Sequence, residues 1–265
     1  MVNVPYVRAI TYHKTMISGR NTPSLFTCKN TIGEEYEYVV KLRSELGNGI
    51  IFELMGALLG YMLDIPVPPI AIVEIGPKMA LGIPDTKLRK SIVNDQGPHF
   101  GSQFMKGGYA VYSHDTYLSD AAHEQMTNIF AFDMLIQNYD RSHGPGKPNL
   151  LYRGDELVAI DHELAFSFAV PPKPSTPPWK IRDLKIADRH IFFRNLQALA
   201  TKSELTFAPF VENFNNISVE FFQQLTEAVP IEWYNESCID SIIAHFVNIQ
   251  NNIGLFEKGL LEVLA

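Results

Sequence analysis

Five residues of this chain have side chains suited to moving a phosphoryl group, and they are scattered along it: Lys41, Glu53, Asp140, Asn149 and Asp161. That chemistry needs a cation against nucleotide phosphates, hard oxygen ligands for a divalent metal, and a carboxylate beside the attacking hydroxyl. Lysine supplies the first. Asp and Asn oxygens suit Mg²⁺, which takes one or two protein ligands plus phosphates and water. A further Asp, with a reference pKa of about 3.9, is ionised at neutral pH and can accept the hydroxyl hydrogen bond. Singly, each has a plainer reading: Lys41 as a solvated strand end, Glu53 as an exposed helix carboxylate, Asp140 with Arg141 as a turn ion pair worth at most about 1 kcal/mol. The set is what carries chemistry.

The elements that must position them are legible. Residues 24–28 and 36–42 are β-rich and flank a turn, which predicts a hairpin ending near Lys41. After Gly47-Asn48-Gly49, the apolar positions Ile50, Leu54, Ala57, Leu58 and Met62 predict a helix that carries Glu53 and ends before Pro66. An apolar strand is expected over 70–75. Residues 79–117 read as irregular, with strands near 103–105 and 109–112. Ser119 or Asp120 can cap a helix to about Gln137, with Asp133 on its buried face. A loop with Asp140 leads to strands over 149–152 and 157–160, and this second hairpin ends on Asp161. The proline-rich segment 171–178 is a spacer or lid, and everything past Trp179 reads as helical. That stretch includes a helix near Ser218 stopped by Pro230, and another with a capping box formed by Ser237 and Asp240.

Composition bounds the rest. At 265 residues, 46% hydrophobic and 19% charged, the chain is sized for one large domain or two lobes. A net charge of −7 argues against a protein that coats nucleic acid, so no nucleic-acid partner is expected. Cys28 and Cys238 follow no metal-site spacing; a reducing compartment fits them, with a single bridge left open. The start has no signal-peptide pattern, and the apolar run 50–75 is interrupted by Glu53, Asp64, Glu74 and prolines. The expectation is a cytoplasmic protein without a membrane partner.

Four stretches, YVVKLRSE, FELMGALLGYMLDIPVPP, NYDRSHGPGKPNLLY and LVAIDHELAFSF, occur in this order between about residues 16 and 168. Together they resemble the HipA-like kinases and, more distantly, the protein and phosphoinositide kinases. The resemblance implies an α+β, two-lobed protein-kinase-like fold. A small β-rich N-lobe would span 1–108 and a larger, mainly helical C-lobe 109–265, with ATP and Mg²⁺ between them. It implies that Lys41 holds the α- and β-phosphates and pairs with Glu53, that Asp140 takes the acceptor's proton, and that Asn149 and Asp161 bind Mg²⁺. Gly19, Arg20 and Asn21 would belong to a phosphate-covering loop. The partners implied are nucleotide and a hydroxyl-bearing acceptor; a protein Ser or Thr, a small molecule, a lipid head group and the enzyme itself all stay open, as does the oligomeric state.

The chain departs from the family pattern in its loop. Asp140 and Asn149 are nine positions apart, where kinases usually place these residues about five apart. The extra residues surround His143-Gly144-Pro145-Gly146, and a second reading follows, a nucleotide-binding pseudokinase whose in-line geometry is spoiled. A third reading is a metal-dependent hydrolase built on His143, His162 and Glu163. Asp188-Arg189-His190 copies the phosphoinositide-kinase catalytic triplet but has no strand ending in Asp behind it, and reads as a surface charge cluster. The chain looks too short for the additional N-terminal subdomain of HipA toxins, so the resemblance implies no toxin role.

Overall fold

The computed structural model describes residues 3–16, 21–113, 115–143, 148–172 and 175–265. Its N-terminal part is built on five strands: β1 (Tyr6–Thr15), β2 (Ser24–Lys29), β3 (Glu35–Lys41), β4 (Ile70–Glu74) and β5 (His99–Gln103). They close into a barrel in the order β1-β2-β3-β5-β4, with β1 antiparallel to β2 and parallel to β4. Alternation sorts their side chains. Val7, Ala9, Phe26, Cys28, Tyr38, Val40, Ala71 and Val73 fill the barrel, whereas Ile70, Ile72 and Phe100 join the larger core with the Gly49–Met62 helix. That helix is buried through most of its length, as an element apolar on all sides must be.

The hairpin and the helix lie where the sequence places them. β1 was not among the expected strands: only Val7 and Ala9 along it are buried, too few for a readable alternation. The expected strand at 103–105 is β5, four residues earlier, and that at 109–112 shrinks to β6 (Ala110–Val111). Between β4 and β5 the chain is not irregular but forms the helices Pro77–Leu81 and Thr86–Asn94, the latter capped by Asp85, which accepts from the backbone N–H groups of Lys87 and Leu88.

From residue 110 onward the chain is mainly helical, apart from the small antiparallel sheet β6-β7-β8, with β7 at Leu150–Arg153 and β8 at Glu156–Ala159. Ser119 caps the short turn of helix that opens the His123–Leu135 helix. The helix expected near Ser218 is Val219–Glu227, and Ser218 is its cap. The helix Glu236–Gln250 is capped by Asn235 and not by Ser237, because the Asn235 side chain, two residues earlier, accepts the Cys238 N–H. The core here is phenylalanine-rich: Phe246 packs edge-on against Phe166 and Phe214 and stacks on Phe222. Each such ring contributes about 1.5–3 kcal/mol by burial. The terminal Ile253–Leu264 helix crosses residue 179 closely, since a Cβ on Gly259 would lie 2.1 Å from the Trp179 carbonyl oxygen. Cys28 and Cys238 form no disulfide, and no described helix is long and apolar enough to cross a membrane.

Candidate active site

Lys41, the last residue of β3, is held by pairing with Phe100 on β5. Its Nζ lies 2.5 Å from Glu53 Oε1, 2.7 Å from Asp161 Oδ1 and 2.9 Å from Glu163 Oε2. Burial opposes the charge on this lysine, and the three carboxylates outweigh that, raising its pKa above the ordinary value. Glu53 is only 2% exposed. Burial pushes its carboxyl up to about 7, against the pull of the Lys41 ammonium. Its other oxygen accepts the His162 N–H at 3.0 Å. One turn further along the same helix, Gly56 leaves room for His162: a Cβ there would sit 2.9 Å from the His162 Cβ.

Asp140 and Asn149 meet directly, the Asn149 amide donating to Asp140 Oδ2 at 2.5 Å. The two ends of the β7-β8 hairpin are then tied together. Ile160 N–H donates to the Asn149 carbonyl at 3.0 Å, and Arg141 donates to the carbonyls of both Asn149 and Ile160. Asn149 and Asp161, flanking the hairpin, both adopt left-handed backbone, with φ of 50° and 62°. Non-glycine residues rarely do so, and such strained positions cluster at functional sites.

Beneath this loop is a buried polar group that holds it. Asp133 accepts from Arg141 Nε at 2.6 Å, from His190 Nε2 at 2.9 Å and from the Asn138 amide at 3.0 Å. Burial raises the Asp133 pKa, and the Arg141 guanidinium with His190 more than reverses it, leaving the carboxyl below its usual range. His190 Nδ1 accepts the Phe192 N–H at 3.2 Å, so its proton sits on Nε2, facing Asp133. His162 is likewise neutral: burial and Arg141 hold it down to about 3.

The structure thus gathers Lys41, Glu53 and Asp161 into one cluster and joins Asp140 to Asn149, with Arg141 bridging the two groups. Asn21 reaches the cluster through Glu163, donating to its Oε1 at 2.8 Å, and Thr22 anchors the segment on Glu45. Gly19 and Arg20 lie outside the described residues. Asp133, Arg141 and His190 are site residues that the sequence does not announce, and Glu163 enters there only as a ligand of the metal-hydrolase reading. The available signal was Asp133, an acid on an otherwise apolar helix face. The Asp188-Arg189-His190 string is only partly superficial: Asp188 and Arg189 are exposed, but His190 is buried on Asp133. Among the described residues, the group spaced to hold a metal is Glu53, Asp161 and Glu163, which includes neither His143 nor His162 of the metal-hydrolase reading.

A cluster of three carboxylates around one ammonium is overly negative by itself, and its oxygen donors suit a hard divalent cation. The fold is similar to that of the Helicobacter pylori proinflammatory kinase CtkA, with a TM-score of 0.55 at 10% identity over 98% of both chains. Two structures of CtTel1, its open conformation and its FAT and kinase domain, align at a TM-score of 0.25 and 12% identity; they cover 93% and 96% of this chain, but only 12% and 23% of theirs. No curated protein matches the chain in sequence. The model of one sequence family matches residues 10–258, nearly the whole chain: it belongs to the HipA-like kinases.

Proposed function

We propose that the chain is an ATP- and Mg²⁺-dependent phosphotransferase that passes the γ-phosphoryl group to a hydroxyl acceptor, a protein Ser or Thr being the class we favour. A β-rich N-lobe, 1–108, and a helical C-lobe, 109–265, would enclose the nucleotide. The observation that carries this reading is the hairpin with a left-handed residue at each end: Asn149 touches Asp140 at one, and Asp161 faces the Lys41–Glu53 pair at the other. Asn149 and Asp161 would hold Mg²⁺, which neutralises charge on the phosphates. Lys41 meets the α- and β-phosphates, with Glu53 fixing its direction. Asp140, oriented by the Asn149 amide, accepts the proton of the attacking hydroxyl. Asn21, together with Gly19 and Arg20 beside it, covers the phosphates. The unbridged cysteines support a cytoplasmic setting.

The test is a thermal shift with ATP, with and without Mg²⁺, on wild type, Asp161→Ala and Asp140→Ala, followed by γ-phosphoryl transfer assays on the same proteins. A nucleotide at a hundred times its Kd stabilises by about 2.7 kcal/mol. Wild type and Asp140→Ala should show that Mg²⁺-dependent rise, Asp161→Ala should lose it, and Asp140→Ala should lose transfer. Equal turnover by Asp140→Ala and wild type would remove the role given to Asp140. ATP that stabilises wild type without being consumed would leave a pseudokinase.

A further inference from the structure

Away from the carboxylate cluster the chain forms a second recess of different chemistry. A cavity of about 740 Å³ lies between residues 175–178 and the Glu236–Gln250 helix, sharing no lining residue with the Lys41 cluster. Its volume falls in the range of small-molecule sites. One wall is Gln137, 2% exposed, whose Oε1 has no hydrogen-bond partner among the described residues. Buried polar atoms are paired in the great majority of cases, so an orphaned acceptor on a cavity wall calls for a donor from outside.

The surrounding groups say what kind of donor. Glu236 and Asp240, one turn apart on the helix and both exposed, line the cavity, and none of its described lining residues is Lys or Arg. Phe168, stacked on His245 at 3.6 Å, adds an aromatic surface. The His245 ring is itself committed, its Nε2 lying 2.9 Å from the Leu135 carbonyl. An anion would face two carboxylates with no counter-charge among the described lining residues, and a neutral ligand would leave them unused.

We infer that this cavity binds a small organic cation with N–H donors, an alkylamine or a guanidinium. Glu236 and Asp240 supply the opposite charge, Gln137 Oε1 accepts an N–H, and Phe168 covers the apolar stem. Gln137, with a left-handed φ of 51°, is also the turn between the His123–Leu135 helix and Asn138-Tyr139-Asp140, so an occupant touches the base of the loop that carries Asp140. The same cation can come from a free amine or from an arginine side chain of a peptide.

Calorimetric titration of the whole chain, without nucleotide and in about 0.15 M salt to screen surface charge, tests this with agmatine, a capped Gly-Arg-Gly tripeptide and butyrate. Agmatine or the tripeptide should bind saturably at one site, and whichever binds names the source. Affinity should fall at least tenfold in the Glu236→Gln/Asp240→Asn double variant, whose exposed positions leave folding intact, and in Gln137→Leu. Absence of binding by both cationic probes at millimolar concentration, equal binding by the double variant, or tighter binding of butyrate would each overturn the assignment. Because no nucleotide is present, the outcome does not depend on the phosphotransfer reading.

Discussion

Arg141→Met is the substitution that most directly tests how the loop is held. Arg141 and Asp133 are both fully buried, and Asp133 is below its ordinary pKa because Arg141 and His190 face it. Methionine matches the stem in volume but leaves the Asp133 carboxylate without its cation, and strips the carbonyls of Asn149 and Ile160 of a donor. Breaking a buried ion pair from one side costs about 3–5 kcal/mol. For a domain of this size each kcal/mol is worth about 2–4 °C, so the melting temperature should fall by about 6–20 °C. Removing both charges should hurt less than the sum of the single changes. In a double-mutant cycle with Asp133→Leu, read by calorimetry, the coupling should reach about 2 kcal/mol. A shift under about 2 °C for Arg141→Met, or strict additivity in the cycle, would refute the claim that this pair braces the loop.

Two further expectations concern stability alone. Burial holds His99 and His245 down to about 4, and burial with the neighbouring Arg141 holds His162 to about 3, against an ordinary 6.5. The unfolded chain therefore binds more protons below pH 6.5, and stability falls with pH by about 1.4 kcal/mol per unit for each histidine. Glu53, pushed up to about 7 from 4.5, opposes one of them, so these four groups together should cost about 3 kcal/mol per unit between pH 6.5 and 4.5, and His190, also held below its ordinary value by burial, adds to the loss. Urea unfolding at four pH values measures the slope, and a flat profile would contradict it. On the terminal helix, Gly259→Ala should destabilise by about 3 kcal/mol because its Cβ runs into the Trp179 carbonyl, whereas Gly254→Ala, with nothing within 4 Å, should gain up to about 1 kcal/mol. Equal melting temperatures for the two variants would count against the close crossing.

How much of this was legible follows from what each residue's neighbours are. The strand and helix that carry Lys41 and Glu53 are legible, one as a β-rich run beside a turn and the other as an apolar run that ends before Pro66, whereas the two residues stand out only as members of the ordered set. The hairpin that ends on Asp161 has a polar turn at its tip between two short apolar runs. Glu163 was weighed only as a zinc ligand, since nothing local shows that residue 163 folds back onto a strand 122 positions earlier. The Asp133–Arg141–His190 group is equally non-local: its members come from a helix, a loop and a turn, and only their shared burial unites them. β1 was missed for a related reason. Its partners β2 and β4 supply the hydrogen bonds, so its own sequence needs few buried residues.

The closed barrel limits how other chains can approach this one. β1 is bonded on both sides only at its start: Tyr6–Arg8 pair with β4, whereas from Ala9 to Thr15 β2 is its sole strand partner among the described residues. In the second sheet, the Ala159 N–H of β8 is taken by the Pro66 carbonyl at 2.7 Å, and β6 is two residues long. Strand addition therefore has little to build on in the second sheet, and on the barrel it is confined to the outer part of β1. That part lies at the far end of β1 from the residues that pair with β4, so the closed ring that holds Lys41 is kept apart from the open edge.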